Sequence, residues 1–438
     1  MLISVSRNSI GHVFVLHCCV GGLACDATLR RGGKTKKLDE VLLDEKESEK
    51  SHVRVYRADY EKIKQVEHEL LVISTFLGTA AEFFRGKVSP HRRTKPLIGF
   101  NLVDDFEADS SVRGDLVRKS YDFAIKYDVD IAICVSTLSI YQSTTKFRVE
   151  MCPIEDGPFW MLNKFQHEQI ERLINLSKAG RLNVFMGAGI SIPSGAPSWK
   201  ALLAELAVLA GYSEQDRKYL AELDYLDQPT ILEEDMGQDF KKGVAKILKR
   251  TSRFTPVHSL IRSLQCPCVT TNYDCLFEQA GESVGEFIYS LPWNMHEIKE
   301  EATKQSLLKL HGCVKNSDSI VLSRKDYMRY PDTRQALRGC LHSMFMTSDV
   351  LFAGFSMTDD NVHKIIDDVR KVSYVNDLPV EGKKIGTILC MTYNKMLDRL
   401  WDQDFDIVSF GKTWDDNPAW HHDCFFDRLA WGHSLAMS

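Results

Sequence analysis

Leu182-Asn183-Val184-Phe185-Met186, followed by Gly187-Ala188-Gly189-Ile190-Ser191-Ile192-Pro193-Ser194-Gly195-Ala196-Pro197-Ser198-Trp199-Lys200, is the stretch that decides the fold. Leu182 to Met186 is short and apolar, as a buried strand is. The glycines behind it permit positive φ and remove the Cβ that would hold a diphosphate away from the backbone. A helix then opens near Ser198. By itself the turn is a weak signal, because many βα turns carry two glycines for packing alone.

Upstream, Trp160 to Lys178 is helical in pattern, with Trp160, Phe165, Ile170, Leu173, Ile174 and Leu176 on one apolar face. Gly180 closes it as a left-handed cap. The first 150 or so residues alternate strands and helices in pattern. Val13 to Leu16, Val53 to Tyr56, Pro96 to Val103, Ile131 to Val135 and Phe147 to Met151 read as strands. Tyr60 to Phe76 and Val112 to Lys126 read as helices, the second with Ser110 or Ser111 as N-cap, and Lys34 to Lys50 as a charged loop. Cys152 to Pro158 ends that unit. The expected class is α/β: a Rossmann-like parallel sheet with helical insertions over 181–438, preceded by a smaller α/β domain over 1–155 and a connecting helix over 156–180.

The chain has 438 residues, 44% hydrophobic and 26% charged, with a formal net charge of -5. That balance is globular and gives no support to a nucleic-acid or membrane-surface binder. The 12 cysteines are spread thinly and suit reduced thiols rather than a disulfide framework. Neither Cys18–Cys19 nor Cys266–Cys268 has C-x-x-C spacing, so no metal site is expected. Ile10 to Ala27 is apolar behind Arg7, but His12 and His17 interrupt it while Val13 and Val15 suit a strand. A first strand of a cytoplasmic protein is therefore expected rather than a signal peptide, with no membrane span.

Gly187 to Lys200 resembles the sirtuin signature GAGISxxxGIPDFR without a gap. Thr270-Thr271-Asn272-Tyr273-Asp274 resembles the sirtuin TQNID motif, Leu310-His311-Gly312 resembles LHG, and Gly354-Phe355-Ser356 stands where sirtuins carry a late GTS contact. These matches keep the family's order over about half the chain. The departures are equally informative. Sirtuin deacetylases carry two cysteine pairs soon after LHG, whereas here Cys313 stands alone and the next cysteine is Cys340. Ser198, Trp199 and Lys200 replace DFR. The chain looks like the zinc-free branch of sirtuin-like domains found in antiviral defence and animal immune proteins.

That resemblance implies an NAD glycohydrolase releasing nicotinamide and ADP-ribose, needing no zinc and activated by self-assembly as a tetramer or filament. A non-catalytic NAD or ADP-ribose-binding scaffold is the alternative, and a protein deacylase a weaker third. The implied catalytic residues are Asn272 and His311. The implied NAD contacts are Gly187, Ala188, Gly189, Ser191, Trp199, Asp274, Gly354, Ser356 and Asp359. Nicotinamide leaves as a neutral molecule through an oxocarbenium-like state, so the chemistry asks for a placed nucleophile and a base rather than an acid. Asn272 could hold water or a ribose hydroxyl, His311 act as the base, Asp274 bind the carboxamide, and Ser356 and Asp359 meet the adenine-side ribose.

His258, Tyr327, Tyr330, His421 and His422 read as ordinary structural residues, adjacent histidines being ill placed to share an ion. Leu23-Ala24-Cys25-Asp26-Ala27 faintly resembles the start of macro domains, which bind ADP-ribose, but the pattern's aspartate is missing and the glycines expected near Gly99 are replaced.

Overall fold

A computed structural model describes residues 11–25, 27–29, most of 73–81, 95–102, 110–293, 305–375, 378–379, 384–413 and 417–437. The first sheet consists of β1 (Val13–His17), β2 (Ala27–Leu29), β3 (Leu97–Asn101) and β4 (Asp130–Val135), all parallel in the order β1-β4-β3-β2. β1, β4 and the first four residues of β3 are buried, as expected for parallel strands covered on both faces. Val53 to Tyr56 and the loop Lys34 to Lys50 lie outside the described residues, and so does most of Tyr60 to Phe76.

One expected strand is a helix. Phe147 to Met151 alternates apolar and polar residues, yet Thr137 caps a helix over Leu138–Glu150 by accepting from the Ile140 N–H. The alternation misleads because Arg148 is fully buried, its Nη1 2.6 Å from Asp427 Oδ2 near the far end of the chain. The connecting helix is also shorter than its pattern, running Lys164–Lys178 behind a capping box of Asn163 and Gln166. Gly180 has φ 65° and ends it as expected.

The second sheet comprises β5 (Leu182–Met186), β6 (Cys268–Thr270), β7 (Tyr289–Leu291), β8 (Ser306–Lys309), β9 (Asp349–Ala353), β12 (Gly386–Thr392) and β13 (Phe405–Gly411), while β10 (Tyr374–Val375) and β11 (Leu378–Pro379) form a separate small hairpin. Its order is β13-β12-β9-β5-β6-β8-β7 and every pairing is parallel. This is the Rossmann-like α/β class. From β5 the chain first builds outward through β6 to β8 and then returns to β5's other side with β9. The carboxyl end of β5 is thus a topological switch point, the place where open α/β sheets bind ligands. Four helices, Trp199–Leu209, Glu214–Ala221, Asp227–Met236 and Asp239–Leu248, form an insertion between β5 and β6.

The C-terminal helix Pro418–Met437 buries Cys424, Phe425, Phe426, Leu429 and Ala430 in one core shared with Phe14 and Leu16 of β1 and Val184 of β5. Asp427 on this helix also accepts from His12 Nε2 at 2.7 Å. The two sheets are therefore joined by a continuous apolar core and a buried ionic knot. None of the described helices is long and apolar enough to cross a membrane.

Candidate functional site

The turn after β5 is built by three glycines packed backbone to backbone. A Cβ on Gly187 would lie 2.4 Å from the Gly354 carbonyl oxygen, and one on Gly189 would lie 2.8 Å from Gly354 Cα. Gly354, at φ 61°, would bring its own Cβ to 2.5 Å from the Ile190 nitrogen. The Gly187 N–H donates to Ala353 O at 2.9 Å and the Gly189 N–H to Gly354 O at 2.8 Å. These two N–H groups therefore tie the β5 and β9 turns together rather than stand open toward a diphosphate.

Asn272 is placed by the end of β6. Its backbone N–H donates to Thr270 Oγ1 at 2.9 Å, and Thr270 Oγ1 donates to Met186 O at 2.9 Å. Its amide hydrogens go to Gly187 O at 3.0 Å and Ser191 Oγ at 3.3 Å. With both hydrogens committed, the carbonyl Oδ1 is the end able to accept from a ligand. The Ser191 hydroxyl donates to Asp274 Oδ2 at 3.0 Å, and Asp274 Oδ1 accepts from the Leu276 N–H at 3.1 Å. Burial raises the Asp274 carboxyl above its usual range, with Lys309 opposing. Gly187, Gly189, Ser191, Asn272, Asp274 and Gly354 thus form one bonded cluster.

His311 stands just past β8, buried, with Tyr327 and Tyr330 edge-on at 5.5 and 5.6 Å between ring centroids. Its Nε2 lies 3.5 Å from Asp359 Oδ2 and makes no hydrogen bond among the described residues. Asp359 is held in turn: Oδ1 accepts from the Asn361 and Val362 N–H groups at the start of the helix Asp360–Ser373, and Oδ2 accepts from the Tyr327 hydroxyl at 3.0 Å. Burial lowers the His311 pKa, Asp359 opposing, so the ring is neutral at pH 7. Asp359 therefore sits beside His311. Because β9, β5, β6 and β8 are consecutive neighbours, the Asn272 cluster and the His311–Asp359 pair share one sheet edge.

The remaining candidates are more peripheral. Trp199 begins the insertion's first helix behind the Ser198 cap and packs 6.3 Å from the Tyr225 ring, whose hydroxyl lies 3.4 Å from Asp360 Oδ2. Lys200 and Ser356 are exposed, Ser356 Oγ lying 2.7 Å from Thr358 Oγ1. Pattern reading missed a buried group beneath the site. Cys313 does not stand alone: its Sγ is 3.6 Å from Cys275 Sγ, and Cys275, Glu278 and Cys313 offer ligand atoms within 4.8 Å of one another. Lys309 Nζ pairs with Glu278 at 3.0 Å and also donates to the Asp274 carbonyl. The Cys275 hydrogen bond lowers the Cys313 thiol pKa, against burial. Tyr327 and Tyr330 also belong to the site. Their spacing on the helix Arg324–Thr333 was visible, but nothing local points them at His311.

Residues 268–377 match the SIR2-like domain family. The chain carries a SIR2-like domain. The match begins at β6 and takes in Asn272, His311 and Asp359, while Gly187 to Lys200 precede it. Over 219 residues the chain is 26% identical to "Defense-associated sirtuin 2" of Bacillus subtilis, covering 49% of this chain and 22% of that protein. It is 29% identical over 219 residues to "NAD(+) hydrolase ThsA" of Enterococcus faecium, covering 48% and 44%, and 26% identical over 211 residues to "NAD(+) hydrolase ThsA" of Acinetobacter baumannii (strain 532279), covering 47% and 43%. The likeness spans less than half the length of each relative.

Proposed function

We propose that the SIR2-like domain hydrolyses NAD at its nicotinamide glycosidic bond, in defence against infection. The observation that carries this is the pairing, at the switch point of a parallel sheet, of an amide acceptor, Asn272 Oδ1, with a buried neutral His311 backed by Asp359. The names of the relatives, a defence-associated sirtuin and NAD(+) hydrolases, agree with it. As nicotinamide departs, positive charge grows on the ribose. Asn272 Oδ1 accepts from the attacking water or a ribose hydroxyl, and His311 removes the proton that the nucleophile gives up. Asp359 orients the ring and steadies the imidazolium that forms, the part a carboxylate plays beside a catalytic histidine.

Gly187, Ala188, Gly189 and Gly354 border the diphosphate in this proposal, Trp199 covers the nicotinamide end, and Ser356 meets the adenine-side ribose. Ser191 and Asp274 shape the pocket through Asn272, since the one Ser191 proton already goes to Asp274. Zinc plays no part: the Lys309 ammonium supplies, next to Glu278, the positive charge that a cation would bring. The units are 1–155, 156–180 and 181–438, supported by the first sheet's closing at Val135 and the second's opening at Leu182. Self-assembly in the cytoplasm belongs to the same proposal. Exposed Val208, Leu209, Tyr219 and Leu223 on the helical insertion support it, and a net charge of -5 argues against nucleic acid as partner.

The test is NAD consumption by purified protein across a range of protein concentrations, with nicotinamide and ADP-ribose resolved by chromatography. Turnover rising more steeply than in proportion to concentration is expected. NAD retained without turnover would replace the hydrolase with a binding scaffold.

A further inference from the structure

The helix Pro256–Ser263 is buried at every residue, and its Val257, Leu260 and Ile261 belong to the core that β1 and β5 share. Its one histidine faces the Asn272 cluster. The Thr255 backbone N–H donates to His258 Nδ1 at 3.1 Å, and an amide N–H can only donate. Thr255 Oγ1 lies 2.7 Å from the same nitrogen; with Nδ1 accepting from the Thr255 N–H and the Ser191 proton already given to Asp274, the tautomer that serves both ring nitrogens carries its proton on Nε2, 3.4 Å from Ser191 Oγ. The Ser191 proton goes to Asp274 Oδ2, so Ser191 Oγ receives two donors, His258 Nε2–H and the Asn272 amide at 3.3 Å. The amide is oriented by a hydroxyl that His258 holds in place.

Other side chains of the same helix hold it to the N-terminal sheet. Ser259 Oγ and Arg262 Nη2 donate to the His17 carbonyl at the end of β1, at 3.2 and 2.6 Å, and Arg262 Nη1 pairs with Glu286. One residue earlier in the chain than the helix cap, Phe254 exchanges backbone hydrogen bonds with Gly22 and Ala24 at 2.9 Å each. The carboxyl end of β1 is thus spent on anchoring this helix.

We propose that His258 is a positioning residue for NAD cleavage: acting through Ser191 it fixes the Asn272 amide, and the N-terminal sheet fixes the helix that carries it. This rests on the hydrolase function proposed above. His258 is no base, since its Nε2 already carries the proton and burial draws its pKa down to about 3, with Glu278 and Asp423 opposing.

The experiment compares wild type, His258→Leu, His258→Gln and Arg262→Gln, measuring kcat, KM, the pH profile and the melting temperature. Glutamine keeps a donor near the Nε2 position, whereas leucine removes it. His258→Leu should lower kcat by about 10–100-fold with KM changed less than about threefold, the scale seen when an orienting partner is lost. His258→Gln should recover most of that loss. The loss should be constant from about pH 6 to 9, since a histidine with so low a pKa does not titrate there. Arg262→Gln should lower kcat in the same sense by a smaller factor.

A folded His258→Leu with wild-type kcat overturns the proposal. So do equal losses in the leucine and glutamine variants that track melting temperature, which mark a structural role, and a vanished limb of the pH profile, which marks a base. Unchanged kcat in a folded Arg262→Gln removes the tether. An inert wild type overturns both this proposal and the hydrolase, whereas an active wild type with an indifferent His258→Leu overturns this one alone.

Discussion

Gly187→Ala separates two roles for the glycine turn. A methyl there would sit 2.4 Å from Gly354 O and 2.6 Å from Phe355 Cα, both backbone atoms that cannot rotate away. Ordinary contact is about 3.5 Å, so the β5 and β9 turns must part by roughly 1 Å. That movement strains the Gly187–Ala353 and Gly189–Gly354 hydrogen bonds, each contributing about 1 kcal/mol. Overpacking adds about 1–3 kcal/mol, giving a loss of about 3–5 kcal/mol and, for a chain of 438 residues, a melting temperature lower by roughly 3–5 °C. Thermal unfolding by circular dichroism, with NAD binding by calorimetry on the same samples, reads both effects. Gly339→Ala is the control: its helix position is open, and alanine there should stabilise by about 0.5–1 kcal/mol. If Gly187→Ala melts with the wild type and loses only NAD binding, the turn is a ligand cradle and the packing account is refuted.

Three other outcomes follow from buried charge. The His311 pKa is lowered, and a base works above its pKa, so turnover should stay flat from pH 8 to below about 6.5, the ordinary histidine value, before falling; a pH-rate profile losing activity already near 7 would contradict this. Glu278→Gln leaves Lys309 without its carboxylate and should destabilise by about 3–5 kcal/mol, while Glu278→Leu with Lys309→Met together should lose less, as urea unfolding of the cycle would show. Asp427→Asn strips the buried Arg148 and His12 of their shared partner and should cost a similar amount; an unfolding midpoint unchanged from wild type would deny that this knot joins the C-terminal helix to the first sheet.

What could be read from the chain was local. Leu182 to Met186 forms the expected strand end to end, Ser198 caps the expected helix, and Gly180 takes the expected left-handed turn, each because a neighbouring residue fixes it. The failures are long-range. Phe147 to Met151 looked like a strand because nothing near Arg148 reveals Asp427. Cys275 meets Cys313, and Asp359 meets His311, only because β6 and β8 are neighbours and β9 returns beside β5. Motif order supplied Asn272 and His311, but motifs carry no information on what lies beneath them, and Lys309, Glu278 and His258 needed the packed sheet to be seen.

The most direct test of the account is the NAD turnover of Asn272→Ala and His311→Ala beside the wild type, each variant first shown to melt as a folded protein. The account predicts nicotinamide release by the wild type and a loss of at least about a hundredfold in each variant, since positioning and general-base catalysis each contribute on that scale. Turnover retained in both folded variants would contradict it and place the chemistry elsewhere on the sheet edge.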